Sequence, residues 1–230
     1  PPLRTLFPPP RLFRAPAAAC ELIHLYREGF GVRPDPHAAD RWLLRSAHGG
    51  HVPAMVELAH RAANAGDVET AIKWARAAHD QGNIEGTALL GLLFVKHPNG
   101  HNDAEAGRTL LDAAAEGGQF DAMLALGYIW SEGRGVVPDG AKAIRYFKMA
   151  APHYSRAQIS GSPCEALWRI FIAGKLLPRD ITQALHWLAA DVATHSETPL
   201  LELSRIFREG DGVKADETLA EFWENRAKEW

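Results

Sequence analysis

The stretch LGYIWSEGRGVVPD, residues 126–139, has the pattern of two helices joined by a short turn. Its first residues place apolar side chains on one face of a helix. Gly133 and Gly135 suit a left-handed turn, because glycine has no Cβ that would clash in that conformation. Asp139 suits the N-cap of a second helix, since its carboxylate can accept hydrogen bonds from the free amides of the first turn. The stretch therefore predicts a helix–turn–helix unit.

The Asp of this unit recurs along the chain within a fixed pattern. Each Asp is followed after four residues by Ala or Gly, and after three more by a large apolar residue. The small residue lets a neighbouring helix approach closely, and the large one fills the space between helices on the same face. The copies are about 36 residues apart, with one longer step. The six copies are Asp35/Ala39/Trp42, Asp67/Ala71/Trp74, Asp103/Gly107/Leu110, Asp139/Ala143/Tyr146, Asp180/Ala184/Trp187 and Asp216/Ala220/Trp223.

Upstream of each Asp, apolar residues recur at the spacing i, i+4, i+5 and i+8, as in Ala122, Leu126, Gly127 and Trp130. This spacing predicts a first helix in each unit. No window alternates with period two over the length of a strand. The sequence therefore predicts an all-α protein of about twelve helices in six antiparallel pairs. Such pairs bury their apolar faces against their neighbours in a solenoid.

The turn and the helices together resemble the Sel1-like repeat, which is a relative of the tetratricopeptide repeat. The resemblance is carried by residues 126–151 and by the turns YREGFGV at 26–32 and FREGDGV at 207–213. Repeats two, three and five lack the Gly-x-Gly-Val turn and match through their helices. The resemblance implies a right-handed α–α superhelix whose first helices line a concave groove.

The predicted organisation is a Pro-rich N-terminal arm at residues 1–16 followed by a repeat array at residues 17–230. Prolines exclude a continuous helix in the arm, which could be a flexible leader or an extended segment packed on the first helices. The longer step between repeats four and five predicts an insertion at residues 152–162. The six repeats are predicted at about 17–50, 51–82, 83–118, 119–151, 163–195 and 199–230.

Composition narrows the class of protein. A formal net charge of −3 with 47% hydrophobic residues is typical of a soluble protein and gives no attraction to nucleic acid. No apolar run is long enough to span a bilayer, so membrane insertion is not expected. A soluble cytoplasmic or periplasmic protein is expected, and the compartment stays open. Cys20 and Cys164 lie in distant repeats, which favours two buried thiols over a disulfide.

Three patterns could suggest chemistry, and each has a structural explanation. The Gly-x-Gly turns follow a helix and recur, whereas loops that bind phosphate follow a strand. Two closely spaced histidine pairs lack a third metal ligand. Cys20 and His24 share a helical face, but no group is evident to orient the imidazole. We therefore expect no enzyme activity, no metal and no cofactor. The histidine pairs are His48 with His51 and His97 with His101.

The groove is the better candidate for function. Positions that the repeat leaves free on the first helices are apolar in the middle of the array and positively charged at both ends, a pattern that favours binding. We predict a non-catalytic scaffold or adaptor that binds a peptide or helix of a partner protein in the groove. Alternatively, the apolar positions only pack between helices. The predicted binding residues are His24, Arg27, His60, Leu92, Val95, Leu124, Tyr128, Ser131, Arg169, Arg205 and Arg208.

Two other functions stay open at this point. The resemblance also allows an inhibitory or immunity-type subunit that blocks a partner enzyme or toxin. A small-molecule-binding module or an enzyme would require a constellation of residues that the sequence does not present. The partner protein itself is not identified by any residue pattern.

Overall fold

A computed structural model describes the backbone of residues 16–97, 104–154, 161–192 and 197–229, with side chains from Leu22 onwards. These residues form twelve α-helices and one 3₁₀ turn at Ala151–His153, and no strand occurs among them. The predicted all-α fold of six successive helix pairs is confirmed. The predicted N-terminal arm lies outside the described residues. The helices are α1 Pro16–Glu28, α2 Pro36–His48, α3 Val52–Asn64, α4 Val68–His79, α5 Ile84–Lys96, α6 Ala104–Glu116, α7 Phe120–Glu132, α8 Gly140–Ala150, α9 Pro163–Ala173, α10 Ile181–Val192, α11 Glu197–Glu209 and α12 Glu217–Lys228.

The helices fall into two compact units that divide in sequence between Gly117 and Gly118. Unit 1 holds α1 to α6, and unit 2 holds α7 to α12. Within each unit, every first helix (α1, α3, α5, α7, α9, α11) packs against the second helix that follows it (α2, α4, α6, α8, α10, α12). The pair is therefore the elementary packing unit, as the sequence pattern predicts.

The predicted N-caps of the second helices are confirmed wherever the structure describes them. The Asp35 carboxylate accepts a hydrogen bond from the Ala38 amide at 2.9 Å, and the Asp139 carboxylate accepts one from the Lys142 amide at 3.0 Å. Each such bond satisfies an amide that the helix itself leaves free. The predicted cap of the third repeat, Asp103, lies outside the described residues. The same contact is made by Asp67, Asp180 and Asp216.

The turn of the opening stretch is shaped by its first glycine. Gly133 ends α7 with φ 72°, and a Cβ at this position would stand 2.7 Å from Cγ of Pro138. The turn closes where the Asp139 amide donates to the carbonyl of Trp130 at 2.8 Å. Glycine is thus required both by the left-handed backbone and by the packed proline.

Repeat five reaches the same closure with a different sequence. Its loop has Gly174 at φ 62° but no Gly-x-Gly-Val turn. Even so, the Asp180 amide donates to the carbonyl of Phe171 at 3.1 Å, which matches the bond from Asp139 to Trp130. Both turns keep a left-handed glycine directly after the first helix, so the closing hydrogen bond depends on that glycine and on the two helix ends, and not on the remaining residues of the turn.

Close helix crossings in both units use glycine. In unit 1, a Cβ on Gly91 of α5 would stand 2.8 Å from the carbonyl oxygen of Gly107 in α6. In unit 2, a Cβ on Gly127 of α7 would stand 2.5 Å from the ring of Phe147, which is completely buried in α8. The small residues thus set the distance between paired helices, as the repeat pattern predicts.

A buried polar cluster joins the start of α9 to the end of α10. The Asp191 carboxylate is 2% exposed and accepts hydrogen bonds from Ser162 Oγ at 2.6 Å and Trp168 Nε1 at 3.0 Å. Ser162 Oγ also accepts from the Glu165 amide at 3.2 Å and so caps α9. The cluster fixes the end of the predicted insertion, of which residues 155–160 lie outside the described part.

Cys164 lies beside this cluster and is a buried free thiol, as predicted. Burial, followed by the nearby charge of Asp191, raises the pKa of the Cys164 thiol to about 11. A thiol with this pKa is protonated at neutral pH and is a poor nucleophile. Cys164 therefore has a packing role. The side chain of Cys20 lies outside the described residues.

Two buried serines provide a matched test of these contacts. Ser204 of α11 is 3% exposed, and its hydroxyl has no hydrogen-bond partner in the described part of the chain. Ser204→Ala should leave the free energy of unfolding unchanged or raise it by up to about 1 kcal/mol, because it removes an unsatisfied polar group. Ser162→Ala should lower it by about 2 kcal/mol, since it removes a cap and a donor to Asp191.

Urea unfolding of the two variants beside the wild-type chain measures both effects. The comparison is internal, because each variant removes one hydroxyl from a buried site of unit 2. An equal loss of stability in both variants would contradict the assignment of Ser204 as unsatisfied.

Candidate interaction surface

The predicted binding residues of unit 1 lie on the first helices, and two of them, Arg27 and His60, pair with carboxylates of the next first helix. Arg27 of α1 donates to the Glu57 carboxylate of α3 at 2.7 Å. His60 of α3 lies 3.2 Å from the Glu85 carboxylate of α5. His24 is exposed on α1, one turn before Arg27. We call His24, Arg27, Glu57, His60 and Glu85 the unit 1 row.

Arg61 extends the row toward the second helices. Its guanidinium contacts the Glu57 carboxylate at 2.9 Å and the Asp40 carboxylate of α2 at 2.6 Å. Glu57 therefore holds two arginines, Arg27 and Arg61, from two helices. All these side chains are at least a third exposed, so each pair contributes little stability, but together they restrict the rotamers at the surface.

The predicted apolar residues of unit 1 lie next to the row. Leu92 and Val95 of α5 are half-buried. Leu92 follows Glu85 by two helical turns and so lies on the same stripe of α5. The unit 1 row thus runs beside apolar surface that is partly accessible to a partner.

In unit 2, the predicted binding residues of α7 differ in how far they are exposed. Leu124 is 3% exposed and belongs to the core, so it is not available to contact a partner. Tyr128 is half-buried, with its ring edge-on to Phe147 at 5.1 Å between centroids. Burial, and then the charge of Glu165, raises the pKa of the Tyr128 hydroxyl. Ser131 is half-buried and donates to the Tyr128 carbonyl at 3.2 Å.

The three predicted arginines of unit 2 are held by carboxylates of the same unit. Arg169 contacts Glu165 at 2.7 Å, one turn away on α9. Arg205 contacts three carboxylates, whose hydrogen bonds raise its pKa, and Glu202 has the largest effect. The other two carboxylates are those of Glu209 and Asp211.

Arg208, the third arginine, joins α11 to α12. It contacts Glu217 at 3.1 Å and Glu224 at 2.6 Å. The predicted positive end of the groove is therefore balanced by carboxylates. A role of these arginines in binding acidic groups stays a prediction, and it would require their internal ion pairs to open.

Acidic residues are the part of this surface that the sequence patterns miss. Glu57, Glu85 and Asp40 are exposed or half-exposed and hold the cations of unit 1. The pair Glu57/Arg61 has the spacing i, i+4, which sequence can reveal. The contacts between helices depend on the relative position of α1, α3 and α5, for which the sequence carries no local signal.

Across the described ranges, no group of three or more His, Cys, Asp or Glu side chains is placed to hold a metal ion. None of the helices in this part of the chain has the length and hydropathy that a membrane span requires.

The sequence model of the Sel1 repeat matches residues 16–51, 65–83, 120–151, 166–190 and 200–229, which together exceed half of the chain. This chain belongs to the Sel1 repeat family. The resemblance seen in the turns and helices is confirmed. Sel1 repeat proteins generally mediate protein–protein interactions.

Solved structures of similar fold include other Sel1 repeat proteins. A Sel1 repeat protein from Oxalobacter formigenes is 25% identical with a TM-score of 0.68, over 98% of this chain and 92% of that one. A protective antigen of uropathogenic Escherichia coli with an SLR fold is 24% identical with a TM-score of 0.76. That match covers 93% of this chain but 46% of the antigen, so the chain spans less than half of its length.

An immunity protein from Pseudomonas aeruginosa also matches, with 18% identity and a TM-score of 0.50 over 78% of this chain and 68% of that protein. At this identity the likeness to the immunity protein and to the antigen shows the fold alone. The Sel1 repeat fold is typically a non-catalytic scaffold.

Proposed function

We propose that the chain is a non-catalytic scaffold that binds a peptide or helix of a partner protein along its first helices. The observation that carries the proposal is the unit 1 row, in which Arg27 and His60 are each held by a carboxylate of the next first helix. A partner that docks on side chains already restricted in their rotamers loses less conformational entropy on binding.

Leu92 and Val95 supply the apolar part of this surface. Binding energy at protein interfaces is concentrated in a few apolar or aromatic anchors, while surrounding polar groups set orientation. The row presents both signs of charge, and an amphipathic helix with an apolar stripe and mixed charges fits such a surface. The proposed partner element is therefore an amphipathic helix or peptide that places its apolar side chains on Leu92 and Val95.

An inhibitory or immunity-type role would require a partner enzyme or toxin that this surface blocks. The immunity protein among the similar structures shares the fold, and no contact of this chain favours that role over the scaffold. The scaffold is therefore the function we propose.

The test compares proteins captured by the tagged wild-type chain and by a His60→Ala/Leu92→Asp variant. The variant removes one polar contact and places a charge on the apolar stripe. We expect the captured partner to decrease about tenfold or more, because losing a central anchor of an interface costs about 2 kcal/mol or more, and about 1.4 kcal/mol is already tenfold. Quantitative mass spectrometry of both captures from the native source measures the change.

Leu44→Asp is the matched control. Leu44 is exposed on the second helix α2 and receives the same new charge. Circular dichroism confirms that all three chains are folded. If the control loses the partner as strongly as the variant, or if the variant retains it fully, the unit 1 row is not the binding surface.

A further inference from the structure

A cleft of about 600 Å³ lies in unit 2, between the turn of repeat four and the loop of repeat five. Its walls include Val136 and Val137 from the turn and Leu176 and Leu177 from the loop. Lys142 of α8 lies at the same cleft. The cleft is broadly open to solvent, which suits one side chain of an extended peptide better than an enclosed small ligand.

Gly140 makes this cleft possible. It is the first residue of α8, and a Cβ there would stand 2.9 Å from Leu176 Cβ and 2.9 Å from Leu177 Cγ. Every other second helix begins with a residue that has a side chain. The missing side chain allows the loop of repeat five to pack against the start of α8, and this packing creates the second wall. The first residues of the other second helices are Pro36, Val68, Ala104, Ile181 and Glu217.

The rim of the cleft is apolar where the related turns are charged. Val137 is 84% exposed. The equivalent position, directly after Gly-x-Gly-Val, is Arg33 in repeat one and Lys214 in repeat six. An exposed valine contributes nothing to folding at this position, and exposed apolar surface beside a cleft commonly marks a binding site.

Positive charge continues from the cleft along α8. The Lys142 ammonium lies 3.9 Å from the centre of the Trp130 ring, and Arg145 and Lys148 follow on exposed positions. Ala141, which lines the cleft, shares a helical stripe with Arg145 and Lys148 because the three are spaced i, i+4, i+7.

Few carboxylates balance these cations. Helix α8 contains no Asp or Glu. Asp139 faces the cleft, but it caps α8 and lies 3.9 Å from the Lys142 ammonium. Among the described residues, neither Arg145 nor Lys148 has an ion pair with a carboxylate. Arg205 and Arg208 differ in this respect, because each forms ion pairs with two or more carboxylates of unit 2. The cleft and stripe together carry a net positive charge.

We infer that this cleft binds an acidic peptide segment of a partner protein. One aliphatic side chain of the peptide enters between Val137 and the Leu176/Leu177 wall. The carboxylates of the peptide then contact Lys142, Arg145 and Lys148 through charge-assisted hydrogen bonds. A peptide fits better than nucleic acid, because the walls are aliphatic and the Trp130 ring, on which a base could stack, is covered by Lys142. The site is separate from the unit 1 row.

The test uses a fluorescein-labelled peptide in which glutamates flank one leucine, titrated with the full chain and followed by fluorescence anisotropy. We expect saturable binding that weakens about tenfold or more in Arg145→Glu/Lys148→Glu, since each reversal replaces an attraction by a repulsion. Val137→Ser should weaken binding several-fold through loss of apolar contact. Replacing the leucine of the peptide by glycine should have a similar effect on the wild-type chain.

Arg41→Glu/Arg45→Glu is the matched control, because both arginines are exposed on the second helix α2 of unit 1. Binding by this variant should equal that of the wild-type chain. Three results would overturn the proposal: no saturable binding by the wild-type chain, an equal loss in the α2 control, or oligothymidine binding as tight as the peptide with the same dependence on Arg145 and Lys148. Thermal unfolding checks that each variant is folded.

Discussion

Gly91→Ala should lower the free energy of unfolding by about 2 kcal/mol. The added methyl would stand 2.8 Å from the carbonyl oxygen of Gly107 and 3.1 Å from the Leu111 amide. Both obstacles are backbone atoms of α6, so α5 and α6 must separate. Overpacking of this kind costs about 3 kcal/mol at the upper end of its usual range, and the better helix propensity of alanine offsets about 1 kcal/mol.

Urea unfolding followed by circular dichroism measures this loss. Ala113→Val is the control, since it adds carbon atoms at an exposed position of α6. It should cost less than about 1 kcal/mol, from helix propensity alone. The corresponding crossing of repeat two is built from Ala59 and Ala71, which are both completely buried. A neutral or stabilising Gly91→Ala would contradict this prediction. It would show that the crossing of α5 and α6 accepts an alanine, as the crossing of α3 and α4 does.

Asp191→Ala should lower the free energy of unfolding by about 3 kcal/mol. The substitution leaves Ser162 Oγ and Trp168 Nε1 buried without the acceptor that each now has. Each unsatisfied buried donor costs about 1–3 kcal/mol, and the smaller side chain also leaves a void.

Asp180→Ala is the control at the opposite end of α10. Asp180 is exposed and accepts from the Gln183 amide at 3.0 Å. Losing this cap should cost about 1 kcal/mol. Urea unfolding of both variants measures the difference. Equal losses from the two aspartates would mean that the buried cluster contributes no more than an ordinary helix cap.

The local features of the fold follow from sequence because their causes are local. A carboxylate at Asp139 and the amide of Lys142 are three residues apart, so the cap requires no knowledge of the rest of the chain. The left-handed turn at Gly133 is likewise set within a few residues. Helix pairing follows because small residues recur at one position of each first helix, as Gly91 in α5, and at one position of each second helix, as Gly107 in α6.

The candidate surface is harder to predict from sequence, because the exposure of a side chain depends on small rotations of its helix. Successive residues of an α-helix point about 100° apart, so a small error in helix phase moves a side chain from the surface to the core. Leu124 shows this effect, since its position on α7 is buried while Tyr128, one turn later, is half-buried. The charge around the predicted binding residues is set by partners on other helices, as for Arg208 with Glu217 and Glu224.

The cleft in unit 2 is hard to predict from sequence for a similar reason, because it too depends on contacts between separate segments of the chain. Gly140 stands out in sequence only as one glycine among 20, and its function becomes clear when the loop of repeat five is found packed against it. Val137 and Leu176 line one cleft only through that contact, so neither residue indicates the proposed site from sequence alone.

The hydrogen bond from Asp180 to Phe171 has a consequence for how such a chain can change. Repeats four and five close with equivalent backbone bonds, although their connecting segments share little sequence. Between the left-handed glycine and the capping Asp that both connectors keep, mutation or protein engineering can therefore vary the residues while the helix pairs keep their geometry. New recognition can then arise by replacing a connector, much as antibodies acquire new specificities through loops carried by a constant framework.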